Sequence, residues 1–391
     1  MQYRINPVNG DNLSLLGYGC MRFTKKNGVI DQKKAEEEMA YGLELGINYF
    51  DTAWLYPGNE VAVGKFLAKG HRREVFLATK LPQYKVKKIA DADSFFEEEL
   101  QRLQTDYIDY YLLHMLTDFG SWQRLKELGI VEWIARRKAE GAIRNIGFSY
   151  HGGTESFLRI LEDYDWDFCQ IQYNYLDEHG QAGVKGLKAA AAKGIPVMIM
   201  EPLRGGKLAD KIPPKAAEIF RKADGKSAAT WGLRWLFDQP EVTVVLSGMN
   251  SREMIRENAA VASSTAVHSL TPADREVYAK AIAAIQQVVK VPCTGCGYCL
   301  PCPHGVDIPT CFRCYNAKSA DGWFSGLREY FMCTSMKNEV TAASACVGCG
   351  KCEKRCPQHL PIRKHLREVK RNMEGLPYKA TVFVARKIMK F

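Results

Sequence analysis

Four side chains of different chemistry end three strand-like runs in the first third of the chain. Ile47-Asn48-Tyr49-Phe50 leads into Asp51, with Tyr56 five residues further on. Val75-Phe76-Leu77-Ala78-Thr79 ends on Lys80, and Tyr107-Ile108-Asp109-Tyr110-Tyr111-Leu112-Leu113 ends on His114. A phenol has an ordinary pKa of ~10, so proton donation by Tyr56 at neutral pH requires a cation beside it. Lys80 would be that cation, Asp51 the carboxylate that holds it, and His114 the imidazole that polarises a carbonyl. Taken singly each has a structural reading: Asp51 as a helix cap, Lys80 as a solvated strand end, His114 as a core imidazole. Three strand ends carrying complementary groups favour chemistry over that coincidence.

A second constellation lies at the other end. Of 13 cysteines only Cys20 and Cys169 precede residue 293. In a reducing compartment such density points to metal ligation rather than disulfides. Cys346, Cys349, Cys352 and Cys356-Pro357 form the C-x2-C-x2-C-x3-C-P run of [4Fe-4S] ferredoxins, in which three thiolates grip one cube and the fourth reaches another. Cys293, Cys296, Cys299 and Cys302-Pro303 repeat it with one residue fewer before the last cysteine. The 53-residue offset between the runs resembles helical two-cluster ferredoxin domains. That resemblance implies one cluster on Cys293, Cys296, Cys299 and Cys356, and another on Cys346, Cys349, Cys352 and Cys302. The shortened spacing leaves Cys311 or Cys314 as replacements for Cys302, and Cys333 as a core or spare thiol.

The elements that must position these groups alternate. Tyr3 to Leu16 reads as a hairpin turning at Asn9-Gly10. Strand-like runs follow at residues 15–20, 47–53, 75–80, 107–114, 143–150, 168–174, 197–202 and 242–249. Helical stretches such as 31–45, 94–103, 125–140 and 226–237 separate them. Eight strands and eight crossovers predict an α/β fold, a (β/α)8 TIM barrel whose chemistry sits at the C-terminal strand ends. A helix over 274–289 closes it. The expected organisation is a barrel over 1–290, a small helical ferredoxin-like iron-sulfur domain over 291–375, and a tail, 376–391, packed back on the protein.

The motifs Gly46-Ile47-Asn48-Tyr49-Phe50-Asp51-Thr52-Ala53 with Tyr56, Thr79-Lys80, Asp106-Tyr107-Ile108-Asp109 with Leu113-His114, Ile146-Gly147-Phe148-Ser149, and Glu257-Asn258 resemble those of the aldo-keto reductases over roughly residues 10–290. The resemblance implies a catalytic tetrad of Asp51, Tyr56, Lys80 and His114, with Tyr56 as general acid. It also implies hydride delivery from NADP or NAD in reduced form to a small-molecule carbonyl substrate, an aldehyde or ketone. Ser149 and Gln170 match positions that hold the carboxamide, and Glu257 and Asn258 positions near the adenine. The Gly-rich basic loop Leu203, Arg204, Gly205, Gly206, Lys207 lies after strand seven, where barrels commonly bind phosphate. Gly248, Met249 and Met254 stand where the family holds a 2′-phosphate, Tyr150 where it often has Asn, and Met200 where a tyrosine stacks on nicotinamide. Those departures leave NADP against NAD open.

Composition bounds the partners. With 46% hydrophobic and 25% charged residues and no apolar run of ~18, the chain reads as folded, with no membrane span. Its start carries no basic flank and apolar core of an export signal, so a cytoplasmic location is expected. Residues 291–391 hold 16 Lys+Arg against 7 Asp+Glu. That basic face either offsets metal-thiolate charge or docks an acidic ferredoxin or flavodoxin, while no motif supports nucleic acid. Because nicotinamide moves electrons in pairs and clusters singly, an FMN in the barrel is an alternative, giving a flavin-containing electron-transfer protein. A non-catalytic cofactor-sensing module with structural clusters is the third reading.

Overall fold

The computed structural model describes residues 1–287, 290–293, 295, 297–356 and 359–389. Eight parallel strands close in sequence order: β1 (Leu16–Gly19), β2 (Tyr49–Asp51), β3 (Phe76–Leu81), β4 (Ile108–Leu116), β5 (Ile143–Tyr150), β6 (Phe168–Gln172), β7 (Val197–Met200) and β8 (Val242–Ser247), with β8 pairing back on β1. The (β/α)8 barrel expected from the sequence is present. A hairpin of Tyr3–Ile5 and Asn12–Ser14 closes its N-terminal end, where Tyr110 donates its hydroxyl to Asp11 and accepts from Asn6.

Successive side chains on a strand point to opposite faces, so the barrel interior and the rim are read two residues apart. Tyr49, Ala78, Tyr110, Phe168, Met198 and Val244 pack together inside the barrel, with Leu13 beneath them. Two residues further along β2, β3 and β6 stand Asp51, Lys80 and Gln170. The intervening Phe50, Leu77, Tyr111 and Cys169 face the helical ring and belong to its large core. The pairing of β4 with β5 shifts between Leu113 and Leu116, and Met115 has φ +60°. This irregularity falls beside His114, at the barrel rim where strand bulges are common.

Three helical expectations shift. The stretch read as one helix over 125–140 is two, Phe119–Glu127 and Ile130–Ala139, because Gly129 between them takes φ +88° and ends the first. The helix expected at 94–103 starts at Ile89, where the Asp91 carboxylate caps the Lys87 and Lys88 N–H groups. The helix expected over 274–289 spans Pro272–Gln286, with Thr271 and Asp274 forming a capping box; Val289 lies outside the described residues.

After Val291 the chain folds around a second core of Val306, Ile308, Phe312, Tyr330, Leu366 and Val369, among others. Its long helices are labelled α1 (Ile308–Asp321), α2 (Trp323–Thr334), α3 (Ile362–Met373) and α4 (Leu376–Met389). Gly326 lets α2 lie against the backbone of α1 at Lys318. Tyr378 of α4 packs beside Tyr330, while Leu376, Phe383 and Val384 face outward. This region rests on the rim of the barrel. Thr117 donates to the Met336 carbonyl at 3.2 Å, the Asn338 N–H to Asp118 at 3.0 Å, and Lys207 hydrogen-bonds Ser325. Gly295 lies against His179, in the connection after β6. Among the described residues no helix is long and apolar enough to cross a membrane.

Candidate active site

At the C-terminal mouth, Lys80 Nζ lies 2.7 Å from both Asp51 oxygens and 2.7 Å from the Thr52 carbonyl. Both charged groups are buried. The same ammonium sits 5.3 Å from the Tyr56 ring centroid, near enough to act on its phenol. Tyr56 and His114 meet edge to face, their rings 6.1 Å apart. All four sequence-identified residues therefore converge on one pocket.

Their electrostatics differ in kind. Burial works to lower the Lys80 pKa, but Asp51, and then Tyr56, outweigh it and hold the ammonium above its ordinary value. Burial pushes the Tyr56 phenol up, Lys80 pulls it down, and the balance in this structure stays upward. Burial, then Lys80 and His151, hold the His114 imidazole well below its usual range. His114 is therefore neutral at physiological pH, and its Nδ1 has no hydrogen-bond partner among the described residues.

The positions expected to seat a cofactor lie on later strands and connections of the same barrel. Gln170 and Ser149 are register partners on β6 and β5. Ser149 Oγ accepts from the Met115 N–H at 2.8 Å and so fixes the irregular end of β4. Gln170 Oε1 is buried without a hydrogen-bond partner among the described residues. Such a group costs free energy until something donates to it. Asn258 hydrogen-bonds Ser247 at 3.1 Å, and Glu257, one position earlier on the Arg252–Ser264 helix, is exposed. Gly248 is exposed, and Met249 is buried with its carbonyl accepting from Tyr18. In the loop after β7, Leu203 is buried, Arg204 makes a two-pronged pair with Asp177 at 2.8 and 3.1 Å, and Gly205 and Gly206 both have positive φ.

Arg22 was not singled out in the sequence. It lies just after β1, and its side chain runs against both Gly205 and Gly248, so close that a Cβ on either would clash with it. The signal that could have found it is topological, since the loop after the first barrel strand opens on the same rim as the other seven.

The C-terminal region holds a cavity of about 240 Å³. Cys299, Cys302, Cys346, Cys349 and Cys352 line it, with Lys351, Arg355 and Arg363 at its edge. Cys356 packs against the same core; Cys296 lies outside the described residues. Cys311, Cys314 and Cys333 are buried between α1 and α2 and do not line the cavity. Among the described residues no three His, Cys, Asp or Glu groups are gathered for a single metal ion. A cube holds its thiolates on separate irons, so a thiol-ringed cavity with a basic edge fits it by donor chemistry.

Residues 15–269 match the family model for the aldo/keto reductases. The chain belongs to the aldo/keto reductase family. Residues 292–361 match a 4Fe-4S dicluster domain, so this aldo/keto reductase is an oxidoreductase with an iron-sulfur domain at its C-terminal end. It is 27% identical over 301 residues to L-galactose dehydrogenase of Arabidopsis thaliana, covering 71% of this chain and 92% of that protein. It is 26% identical to the NADH-specific methylglyoxal reductase of Escherichia coli, over 60% of this chain and 84% of that protein. Among solved structures, an aldo-keto reductase of Bacillus halodurans in its holo form is 28% identical with a TM-score of 0.60, covering 72% of this chain and 96% of that one.

Proposed function

We propose that this protein reduces an aldehyde or ketone with a reduced nicotinamide dinucleotide at the barrel mouth, and that clusters in the C-terminal domain exchange electrons one at a time with a partner. The observation that carries the first half is the buried Asp51–Lys80 pair, its ammonium 5.3 Å from the Tyr56 ring centroid, with neutral His114 edge to face with the same phenol. His114 would donate a hydrogen bond to the carbonyl oxygen and hold it near Tyr56. Tyr56 would then pass its proton to that oxygen as negative charge develops there. Lys80 stabilises the phenolate left behind, and Asp51 keeps Lys80 protonated and aimed.

The residues present suit a nicotinamide. The orphan acceptor of Gln170 is what a carboxamide N–H would satisfy, with Ser149 beside it. Bound there, the dinucleotide would supply the hydride. Arg22 and the Gly205–Gly206 turn offer a cation and an uncrowded backbone for its phosphates. No comparable observation favours FMN, and the absorbance spectrum of anaerobically prepared protein distinguishes the two. Cys302, Cys346, Cys349 and Cys352 would hold one [4Fe-4S] cluster, and Cys293, Cys296, Cys299 and Cys356 the other. When bound, these would supply one-electron transfer, and the basic edge of the cavity suits an acidic ferredoxin or flavodoxin.

Tyr56→Phe tests the reading. It should cut turnover of a panel of aldehydes by roughly 10²–10⁴-fold while leaving NADH or NADPH binding, followed by fluorescence, within a few-fold. Turnover retained by the variant would reject Tyr56 as the acid.

A further inference from the structure

Two cysteines belonging to neither run face each other across the α1–α2 contact. Cys314 on α1 is fully buried, Cys333 on α2 is 4% exposed, and each thiol lies within electrostatic reach of the other. Arg313, next to Cys314, places Nη2 at 3.7 Å from Cys333 Sγ and pairs through its other nitrogen with Glu329. The Glu329 side chain is 26% exposed, so the thiols lie one ion pair away from solvent. Cys311, three residues before Cys314, provides the contrast: it is equally buried, but among the described residues its sulfur hydrogen-bonds the Tyr330 hydroxyl and the Thr341 carbonyl, neither of them a cation.

A buried thiol is ordinarily a small hydrophobe. A thiol that touches a guanidinium and lies near a second thiol has what nucleophilic sulfur chemistry needs: a cation to stabilise the thiolate and a partner to resolve the product. We propose that Cys314 and Cys333 form an oxidation site for a small hydroperoxide, in which Cys333 attacks, Cys314 resolves, and the pair closes as a disulfide joining α1 to α2. The environment separates the two roles. Cys314 pulls the Cys333 thiol down and, although burial opposes it, Arg313, 3.7 Å away, pulls the same way, whereas burial pushes Cys314 well up.

The chemistry balances without a metal or dinucleotide. The Cys333 thiolate attacks one peroxide oxygen and the O–O bond breaks, leaving a sulfenic acid on Cys333 and a hydroxide that is protonated to water. The Cys314 sulfur then displaces the sulfenic oxygen as a second water, its proton leaving with it. Two thiols and one hydrogen peroxide become one disulfide and two waters. Hydrogen peroxide is small and uncharged enough to enter a site that excludes larger organic disulfides.

Trypsin isolates the two residues on separate peptides, Cys314–Lys318 and Glu329–Lys337, each with one cysteine. The full chain, prepared anaerobically with its clusters, is treated with one equivalent of hydrogen peroxide, alkylated under denaturing conditions, digested and mass-analysed. The expected product is the two peptides joined, and separated again by dithiothreitol. Recovery of both as alkylated thiols, or of Cys333 as sulfinic acid beside alkylated Cys314, overturns the proposal. In Cys314→Ser the linked species should vanish and a sulfenic acid on Cys333 should be trapped by a carbon nucleophile; an unmodified Cys333 there removes it as the attacking group. In Cys333→Ser, Cys314 should stay a free thiol, and its oxidation would reject the assignment of roles. None of these readouts depends on carbonyl turnover.

Discussion

Lys80 stands between Asp51 and Tyr56, and its protonation depends chiefly on Asp51. Burial disfavours its charge, and the Asp51 carboxylate does most to oppose burial. In Asp51→Asn the pair geometry survives in outline but the anion is gone, so the lysine pKa drops. The alkaline limb of the kcat/KM profile should then move to lower pH by roughly 1–3 units, with turnover reduced across the range. An unmoved alkaline limb would show that Asp51 does not set the charge of Lys80. Two imidazoles, buried His114 and half-buried His151, make a separate statement about stability. Burial lowers the pKa of His114 well below 6.5 and that of His151 to about 4, so the unfolded chain binds protons that the folded one refuses. Stability therefore rises with pH through this window. The melting temperature should fall as pH is lowered from 6.5 towards 4, and His151→Gln should flatten part of that slope. A wild-type profile flat over the same interval would contradict the assignment.

At the scale of elements, the α1–α2 contact depends on a missing side chain. A Cβ on Gly326 would come within 2.3 Å of the Lys318 N and 2.4 Å of its Cα, both backbone atoms that cannot step aside. Gly326→Ala should destabilise the C-terminal domain by roughly 1–3 kcal/mol, as overpacking does, and lower its cluster content while the barrel melts as before. Loss of both transitions together would mean that the domains unfold as one unit. The strands were legible in the sequence because each is a short apolar run ending on the rim, and the tetrad because its members sit on or just past three of those ends. Other features were not legible, for physical reasons. The irregular end of β4 follows from Ser149 holding the Met115 N–H, a contact between strands. Gly129 breaks a helix through its φ alone, within a run whose apolar spacing continues across it. Arg22 gains its place from two glycines far later in the chain, Gly205 and Gly248, visible only once the barrel closes.

At the scale of the molecule, the charge distribution and the placement of the two domains point the same way. The barrel segment before residue 291 is nearly balanced, and the excess of cationic residues belongs to the C-terminal domain. That domain is tied to the rim near β4 by Thr117 and Asp118, and through Lys207 to the loop after β7. The cavity ringed by cysteines carries Lys351, Arg355 and Arg363, and α3 continues the same sign with Lys364, Arg367, Lys370 and Arg371. An acidic carrier approaching this face would be steered by the summed field, a contribution to association rate that salt removes because the Debye length shrinks from ~30 Å at 0.01 M to ~3 Å at 1 M. Electron exchange between the cluster-loaded protein and a reduced acidic ferredoxin should therefore slow by roughly tenfold or more between those ionic strengths, and Arg355→Glu should reproduce much of that loss at low salt. Arg355 edges the cavity without contributing a thiolate, so cluster absorbance should be retained in the variant. Salt-independent exchange, or an Arg355→Glu protein as fast as wild type with its clusters intact, would place the docking face elsewhere and leave the basic charge to the role of offsetting the clusters' own negative charge.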